Sequence, residues 1–428
     1  MNSVDDRPNR LFPLSFRRVP AIGLARLAGV AIGLAALFAH SLAPAQPRDR
    51  YADERNKMVD EEIAREGIKN PAVLKSMRTV PRHLFAKSKD AKAAYHDQAL
   101  PIGHKQTISP PFIVAYMTEM LDPHPTDVVL EIGTGSGYQA AVLSGLVKEV
   151  YTIEIVPELG KSAAKLLKDL KYENVHAKVG DGYQGWPEHA PFDKIIVTCS
   201  PEEVPEPLIE QLKEGGKMIV PTGKRYEQVF YLFEKQKGEL VKTRLIPALF
   251  VPMTGDAEKI RKVQPDPKHP EINNGSFETD DGEGHPVGWH YQRQLTLESK
   301  GAPEGEKFVT FNNQVAGRSA MMLQGMTMDG RAVGSIKISL RVRGDDIRNG
   351  PGGDQAAFVI QFYDGNRGPI AVTSEQLIGP WDGSFDWKKT SRTILVPRKA
   401  REAIVRVGLN GATGALSIDD IRLAAEAR

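Results

Sequence analysis

The sequence predicts an α/β doubly wound, mostly parallel sheet followed by a C-terminal all-β sandwich. Three observations predict it. At Val128–Tyr138, VVLEIGTGSGY, an apolar run meets an acid and three spaced glycines, and the helical stretch AAVLSGLV follows. That is a buried parallel strand feeding a tight turn and a helix. From Val150 to Pro221, strand-like and helix-like runs alternate, the order of a parallel sheet with helices on its faces. Beyond Glu271, helical spacing nearly vanishes, and alternating runs are punctuated by turn pairs such as Asp329-Gly330, Asp364-Gly365 and Asn410-Gly411.

In chain order, residues 1–45 read as a signal peptide. Five arginines lead into Leu27–Phe38, an apolar run of 12 residues, too short for a span of roughly 20. Ala43-Pro44-Ala45 supplies a cleavage site. The expected location is therefore exported, periplasmic or secreted, and cytoplasmic if the signal is not used. Removing five arginines and two aspartates takes the net charge from +2 to −1. Such a charge exerts no pull on nucleic acid or anionic lipid, and no stable membrane insertion is expected. Cys199 is the only cysteine of the 428 residues, so no internal disulfide forms.

Residues 46–57 are a polar lead-in. Met58–Leu74 has helical spacing broken at Gly67 and Pro71, and Phe112–Leu121 is a helix. Strand Val150–Ile155 follows the glycine turn, with Glu154 near its end. Then come helix Pro157–Leu170, strand Val175–Val179, strand Lys194–Thr198 and helix Val204–Leu212. Gly215-Gly216 is expected to end that helix, before strand Lys217–Pro221. Gln228–Glu234 and Leu240–Val251 read as a terminal antiparallel pair. The first domain is thus 46–255. A charged stretch with three prolines, 256–271, reads as a linker. The sandwich occupies 272–428, with Ile336–Val342, Ala357–Phe362 and Ala403–Leu409 as strands.

The glycine spacing names a ligand class. A dinucleotide fingerprint wants G-x-G-x-x-G, but its third glycine falls on Tyr138. The pattern E-x-G-x-G-x-G resembles instead the first loop of class I methyltransferases, which bind S-adenosyl-L-methionine. A carboxylate at the end of the second strand, Glu154, offers two acceptor oxygens to ribose hydroxyls. Asp181 ends the third strand and faces the adenine amine, and Gly182 lets the backbone approach. Glu131 orients the loop and the methionine amine. Each has a plainer rival: a tight turn, a surface charge after a strand, or a simple Asp-Gly turn.

From Met58 to Gly255 the chain resembles protein-L-isoaspartate O-methyltransferase. GIKNPAVLKSMRTVPRHLF, DQALPIGHKQTISPPFIVAYM, VLEIGTGSGYQAAVL, VGDGYQGWPEHAPFDKIIVT, VPEPLIEQLKEGGKMIVPTG and FVPMTG carry the resemblance. It implies methyl transfer to the free α-carboxylate of L-isoaspartyl residues in damaged proteins or peptides. It marks Ser109 as catalytic, here a positioning residue whose other reading is a helix N-cap. Thr107 and Ile108 shape the same wall, and Thr254 closes over the site. Cofactor-binding residues are then Thr107, Ile108, Glu131, Gly133, Gly135, Gly137, Glu154, Asp181, Gly182 and Thr254. Cys199 reads as a packed residue, His104 as a solvated loop side chain, and His96 has no metal-ligand spacing around it. No metal is expected for catalysis.

The sandwich ends, NGSFE at Asn274–Glu278 and SIDDIRL at Ser417–Leu423, loosely resemble jelly-roll carbohydrate-binding modules. That implies a possible glycan partner stacking on Trp289, Trp381 or Trp387, although core packing suits Trp289 better. It also implies a structural calcium held by Glu278 with Asp419 or Asp420. Two further readings stay open on sequence: a methyltransferase for another carboxylate or a small molecule, and a glycan- or cell-wall-binding protein with a vestigial methyltransferase fold. Asn274-Gly275, Asn349-Gly350 and Asn410-Gly411 lie in expected loops and would make the protein a substrate of its own reaction.

Overall fold

The computed structural model describes residues 49–86, 88, 90–350, 354–371 and 376–428. The expected signal peptide, 1–45, lies outside them. Among the described residues no helix is long and apolar enough to cross a membrane.

The chain first makes helix α1 (Ala52–Lys57), which passes into a π-helical stretch, Met58–Ala64. The expected polar lead-in is thus helical from Ala52, because Tyr51 and Met58 pack on the core. Helix α2 (Pro71–Thr79) is capped by Asn70, whose Oδ1 accepts from Ala72 and Val73 N–H. A short hairpin, β1 (Leu100–Gly103) with β2 (Gln106–Ile108), precedes helix α3 (Pro111–Leu121).

Seven strands then form one sheet: β3 (Val128–Ile132), β4 (Glu149–Glu154), β5 (Val175–Val179), β6 (Phe192–Val197), β7 (Leu212–Lys224), β8 (Glu227–Gln236) and β9 (Glu239–Ala248). Their order is β5-β4-β3-β6-β7-β8-β9. The first five are parallel and the last two antiparallel. Helices α4 (Tyr138–Ser144), α5 (Pro157–Asp169) and α6 (Glu206–Gln211) connect them. On α5, Leu159, Ala163 and Leu167 recur every four residues and are buried. Each such leucine is worth about 1.5–3 kcal/mol. The chain runs outward from β3 to β5, then returns to β6 on the other side of β3. That reversal opens a crevice at the strand carboxyl ends.

Gly215-Gly216 does not end a helix. Helix α6 stops at Gln211, and β7 runs through both glycines. Gly215 has φ +74°, and a Cβ on Gly216 would meet Lys213 O at 2.8 Å and Asp193 O at 2.9 Å. The β6–β7 register shifts between Phe192 and Lys194, so the pair serves a strand irregularity. The expected linker also begins as structure: Asp256–Lys259 is a helical turn, and buried Arg261 donates to Ser200 O at 2.9 Å.

The C-terminal part is two antiparallel sheets over one core, as the alternating runs predict. One contains β10 (Leu295–Glu298), β11 (Phe308–Asn313), β13 (Val333–Arg348), β16 (Gly383–Leu395) and β18 (Thr413–Ala427). The other contains β12 (Met321–Thr327), β14 (Ala357–Tyr363), β15 (Leu377–Ile378) and β17 (Glu402–Gly408). Their orders are β10-β11-β18-β13-β16 and β12-β17-β14-β15. Trp289 and Trp381 lie in the shared core; Trp289 Nε1 donates to Asn274 O at 3.1 Å. Neither ring is free to stack on a sugar. Trp387 is half-buried against Phe308 and Arg343.

Residues 51–428 form one compact unit. The β7–β8 turn plugs into the two-sheet part. Tyr226 donates its hydroxyl to Glu402 Oε1 at 2.6 Å, and Arg367 and Arg225 pair with the same carboxylate. Gly325 is required there, since a Cβ would lie 2.7 Å from the Tyr226 ring. Buried His290 donates from Nε2 to Tyr226 O at 2.6 Å, and burial lowers its pKa to about 4, so it is neutral.

Candidate active site

The crevice at the carboxyl ends of β3 and β4 is built around the glycine turn. Gly133 has φ +100°, and a Cβ would sit 2.5 Å from Thr198 Oγ1. That hydroxyl lies 2.9 Å from Ile132 O and 2.7 Å from Gly133 O and has one proton to share. Gly133 and Thr134 both donate N–H to Ile153 O. The turn is therefore tied to strands on both sides of β3.

Glu154 is almost fully buried and completes the turn. Its Oε2 accepts Gly135 N–H at 2.7 Å, and its Oε1 accepts Val156 N–H at 3.0 Å. Each oxygen retains a lone-pair direction for a ligand hydroxyl.

Glu131 is the unusual group. It has no solvent exposure, and among the described residues neither carboxyl oxygen has a hydrogen-bond partner. Burial pushes its pKa up to about 8, opposed by the polar Thr152 hydroxyl, whose close bond is to Thr134 Oγ1 at 2.6 Å, and helped by the Glu154 charge. A buried acceptor pair without donors is costly. Its oxygens offer acceptors to a donor or cation that a ligand would bring.

The opposite wall comes from the β1–β2 hairpin and α3. Gln106, Thr107, Ile108 and Ser109 line the cleft, with Val114 and Met117 behind them. Ile102 packs on the glycine turn, 3.3 Å from where a Gly135 Cβ would stand. Ser109 does not cap α3. The cap residue is Pro110, and Asp97 Oδ1 receives Phe112 N–H at 2.9 Å. Ser109 is fixed through its carbonyl, which accepts from Arg82 Nη2 at 2.7 Å. Its hydroxyl makes no hydrogen bond among the described residues, and the residue lines the cleft.

Thr254 closes the cleft with Val251, Pro252 and Met253. This segment is sewn to the end of β6: Ser200 N–H donates to Val251 O at 2.8 Å, and Met253 N–H donates to Ser200 O at 2.9 Å. The whole cleft measures about 830 Å³ with its mouth included.

Of the expected residues, nine meet here: Thr107, Ile108, Ser109, Glu131, Gly133, Gly135, Glu154, Gly182 and Thr254. Two stand differently. Gly137 opens α4 with φ +89°, and its missing Cβ makes room for Leu167, at 3.2 Å, and Ala163 of α5. It serves helix packing and lies outside the cleft lining. Asp181 stands behind Gly182. Its Oδ1 accepts Tyr183 N–H at 3.0 Å, and its Oδ2 accepts Asp256 N–H at 2.9 Å. Gly182 itself is needed because a Cβ would lie 2.4 Å from Ile132 Cγ2.

Sequence reasoning missed Gln106, Thr134, Gln139 and Met253 as lining residues. Cys199 also lines the cleft, but burial pushes its thiol up, so it stays protonated and packs. In the two-sheet part, Glu278 accepts N–H from Glu306 and Lys307, Asp419 accepts Glu304 N–H, and Asp420 pairs with Arg422. Among the described residues, the group whose ligand atoms converge is Asp281, Glu283 and His285, and within it Asp281 pairs with both Arg244 and His285.

Comparison with known proteins finds relatives over the first part of the chain. The family model described as protein-L-isoaspartate(D-aspartate) O-methyltransferase matches residues 53–258. A protein-L-isoaspartate O-methyltransferase of Gloeobacter violaceus is 52% identical over 198 residues, 46% of this chain and 97% of that protein. One of Opitutus terrae is 50% identical over 231 residues, 54% of this chain and 97% of that protein. A solved Plasmodium falciparum protein-L-isoaspartate O-methyltransferase in complex with S-adenosyl-L-homocysteine is 27% identical. It covers 47% of this chain and 98% of its own, with a TM-score of 0.41.

Proposed function

We propose a function from the premise that this chain belongs to the protein-L-isoaspartate(D-aspartate) O-methyltransferase family. It transfers a methyl group from S-adenosyl-L-methionine to the free α-carboxylate of L-isoaspartyl residues in damaged proteins or peptides. One observation carries the reading. A fully buried carboxyl group, Glu131, and the Thr107–Ser109 arm line one cleft.

The residues present suit the cofactor. Glu131 would receive its ammonium group, Glu154 would receive ribose hydroxyls on its free lone pairs, and Gly182 would give the purine room. Asp181 supports this side by fixing Tyr183 and Asp256 N–H, and can accept one further bond per oxygen. Bound S-adenosyl-L-methionine supplies an electrophilic methyl carbon on a sulfonium sulfur.

The acceptor needs no general base, since a carboxyl group of pKa about 4 is ionised at neutral pH. The task of the chain is alignment and exclusion of water. Ser109 donates its hydroxyl to one acceptor oxygen, while Thr107 and Ile108 wall the carboxylate in. Such positioning supplies roughly 7–11 kcal/mol of barrier lowering. The following backbone nitrogen then attacks the ester carbonyl carbon and, with the N–H proton, the methoxy group leaves as methanol. The resulting succinimide opens partly to normal aspartate without the enzyme.

The deciding assay offers an isoaspartyl peptide beside its aspartyl twin. Methylation of the isoaspartyl form alone is expected; equal methylation of both, or of neither, overturns the reading. The small-molecule and vestigial readings draw no support from the relatives, which are named for isoaspartyl methyl transfer. Export rests on residues 1–45 and raises the question of methyl-donor supply. A mature N-terminus at Gln46 in fractionated cells is the expected result, and an intact Met1 in the cytoplasm refutes export. A glycan ligand for the two-sheet part now rests on Trp387 alone of the three tryptophans.

A further inference from the structure

The family match ends at residue 258, yet the two-sheet part reaches the acceptor wall. The segment following Trp289 enters beside Asp97 at the foot of the β1–β2 hairpin. Asp97 is nearly inaccessible, with side-chain exposure of 3%. Its Oδ1 accepts Phe112 N–H at 2.9 Å. Its Oδ2 accepts the Tyr291 hydroxyl and Arg293 Nη2, the latter at 3.2 Å. Arg293 also lies 3.5 Å above the Phe112 ring and pairs with Glu66 at 3.3 Å.

This arrangement closes a neck. Asp97 and Phe112 bound the excursion 98–111, which carries β1, β2, Thr107, Ile108 and Ser109. The Asp97–Phe112 bond joins the two ends of that excursion. Arg82 adds a second tie, from Nε to Ala94 O at 2.8 Å and from Nη2 to Ser109 O. The first tie depends on the buried Asp97 carboxyl group staying in place. A buried carboxylate stripped of its cation must move, take a proton, or be left strongly destabilised. The cation and the hydroxyl both come from beyond the family-matched stretch.

We propose that Tyr291 and Arg293 are positioning residues for methyl transfer: they hold Asp97, and through it the neck of the arm that presents Ser109 to the acceptor. This inference rests on the acceptor-side role given to that arm above. The appended part is then a working piece of the enzyme, since it fixes the wall against which the acceptor carboxylate is aligned. Misplacement of such a wall by a fraction of an ångström slows transfer without touching the cofactor pocket.

Full-length Arg293→Ala, Arg293→Lys and Tyr291→Phe test it. For Arg293→Ala, kcat/KM for an isoaspartyl peptide is expected to fall roughly 10- to 100-fold. S-adenosylhomocysteine affinity by calorimetry should stay within about twofold. Arg293→Lys should recover much of the loss, and Tyr291→Phe should show a smaller change in the same direction. Amide exchange should quicken within 98–111 and not in α5. Unchanged kcat/KM in Arg293→Ala overturns the proposal, as does cofactor affinity falling in parallel with it. Should Arg293→Ala not fold, Tyr291→Phe decides by the same criteria. Were the parent to methylate no isoaspartyl peptide, the acceptor reading would fall. The clamp would then be judged by exchange alone, sustained by quickening confined to 98–111 and overturned by its absence.

Discussion

Glu154 Oε2 accepts the Gly135 backbone N–H at 2.7 Å, so the end of β4 and the glycine turn after β3 are one mechanical unit. The carboxylate that would bind a ribose also shapes the loop that would bind the rest of the cofactor. Glu154→Gln keeps the size but replaces an acceptor oxygen with an NH₂ group. That group must face either the Gly135 or the Val156 N–H, donor against donor. Hydrogen bonds to charged groups contribute about 1.5–3 kcal/mol. S-adenosylhomocysteine should therefore bind roughly 10- to 100-fold more weakly by calorimetry. An unchanged dissociation constant would remove Glu154 from the cofactor site.

Glu131 makes cofactor binding a proton-releasing event. With its pKa pushed to about 8, the ligand-free carboxyl holds its proton at neutral pH. An incoming ammonium favours the ionised form, so close to one proton should leave on binding near pH 7. Calorimetry in buffers of different ionisation enthalpy measures that number, and Glu131→Gln should abolish it. Stability follows the same linkage. The folded-state value stands above the unfolded value of 4.5, so the contribution is fully present below pH 4.5. It is lost as pH rises toward 8. Without ligand, Glu131→Gln should flatten the decline in stability across that window.

Local geometry was legible in the sequence, and long-range closure was not. Val175–Val179 was delimited correctly, and helix Pro157–Asp169 to within one residue. Hydrophobic period and capping residues are properties of neighbouring positions. The glycine turn was readable for the same reason. What each glycine makes room for was not. Gly137 looked like part of the cofactor loop, yet Leu167 of α5 dictates it. Gly215-Gly216 looked like a helix stop because strand irregularities depend on the partner strand. Asp97 lies within a stretch that resembles the family, but its partners Tyr291 and Arg293 are 194 and 196 residues away. No periodicity carries that pairing.

Gly133 is the position where an added methyl group should be least tolerated. Its φ of +100° strains any other residue, and the new Cβ would collide with Thr198 Oγ1 at 2.5 Å. The backbone alone costs about 1–3 kcal/mol. Gly133→Ala should lower the denaturation midpoint and weaken S-adenosylhomocysteine binding together. Gly145→Ala is the matched control. It has φ −77° and its nearest neighbour, Ser76 Oγ, is 3.8 Å from the new Cβ. That change should be neutral or stabilise by up to about 1 kcal/mol, with binding unaltered. Equal losses in both variants would contradict the assignment of Gly133.

The Asn-Gly pairs should age slowly, against the expectation that loop placement alone makes them substrates. Succinimide formation requires the backbone nitrogen after asparagine to reach the side-chain carbonyl carbon, and so a side chain free to rotate. Asn274 Nδ2 donates to Thr279 O at 2.7 Å and Val287 O at 2.9 Å. Asn410 Nδ2 donates to Gln355 O and Ala357 O. Asn349 bridges Trp381 O and Ala356 N–H, and the following nitrogen, on Gly350, donates to Asp354 O at 2.8 Å. All three amides are held where they are and the Gly350 nucleophile is already engaged. After prolonged incubation of the folded protein, peptide mapping should find little deamidation at these pairs and little methyl acceptance there from fresh enzyme. Urea-unfolded chain incubated alongside should deamidate at all three, because nothing then restrains the amides. Equal rates in the folded and unfolded chains would show that these hydrogen bonds do not protect.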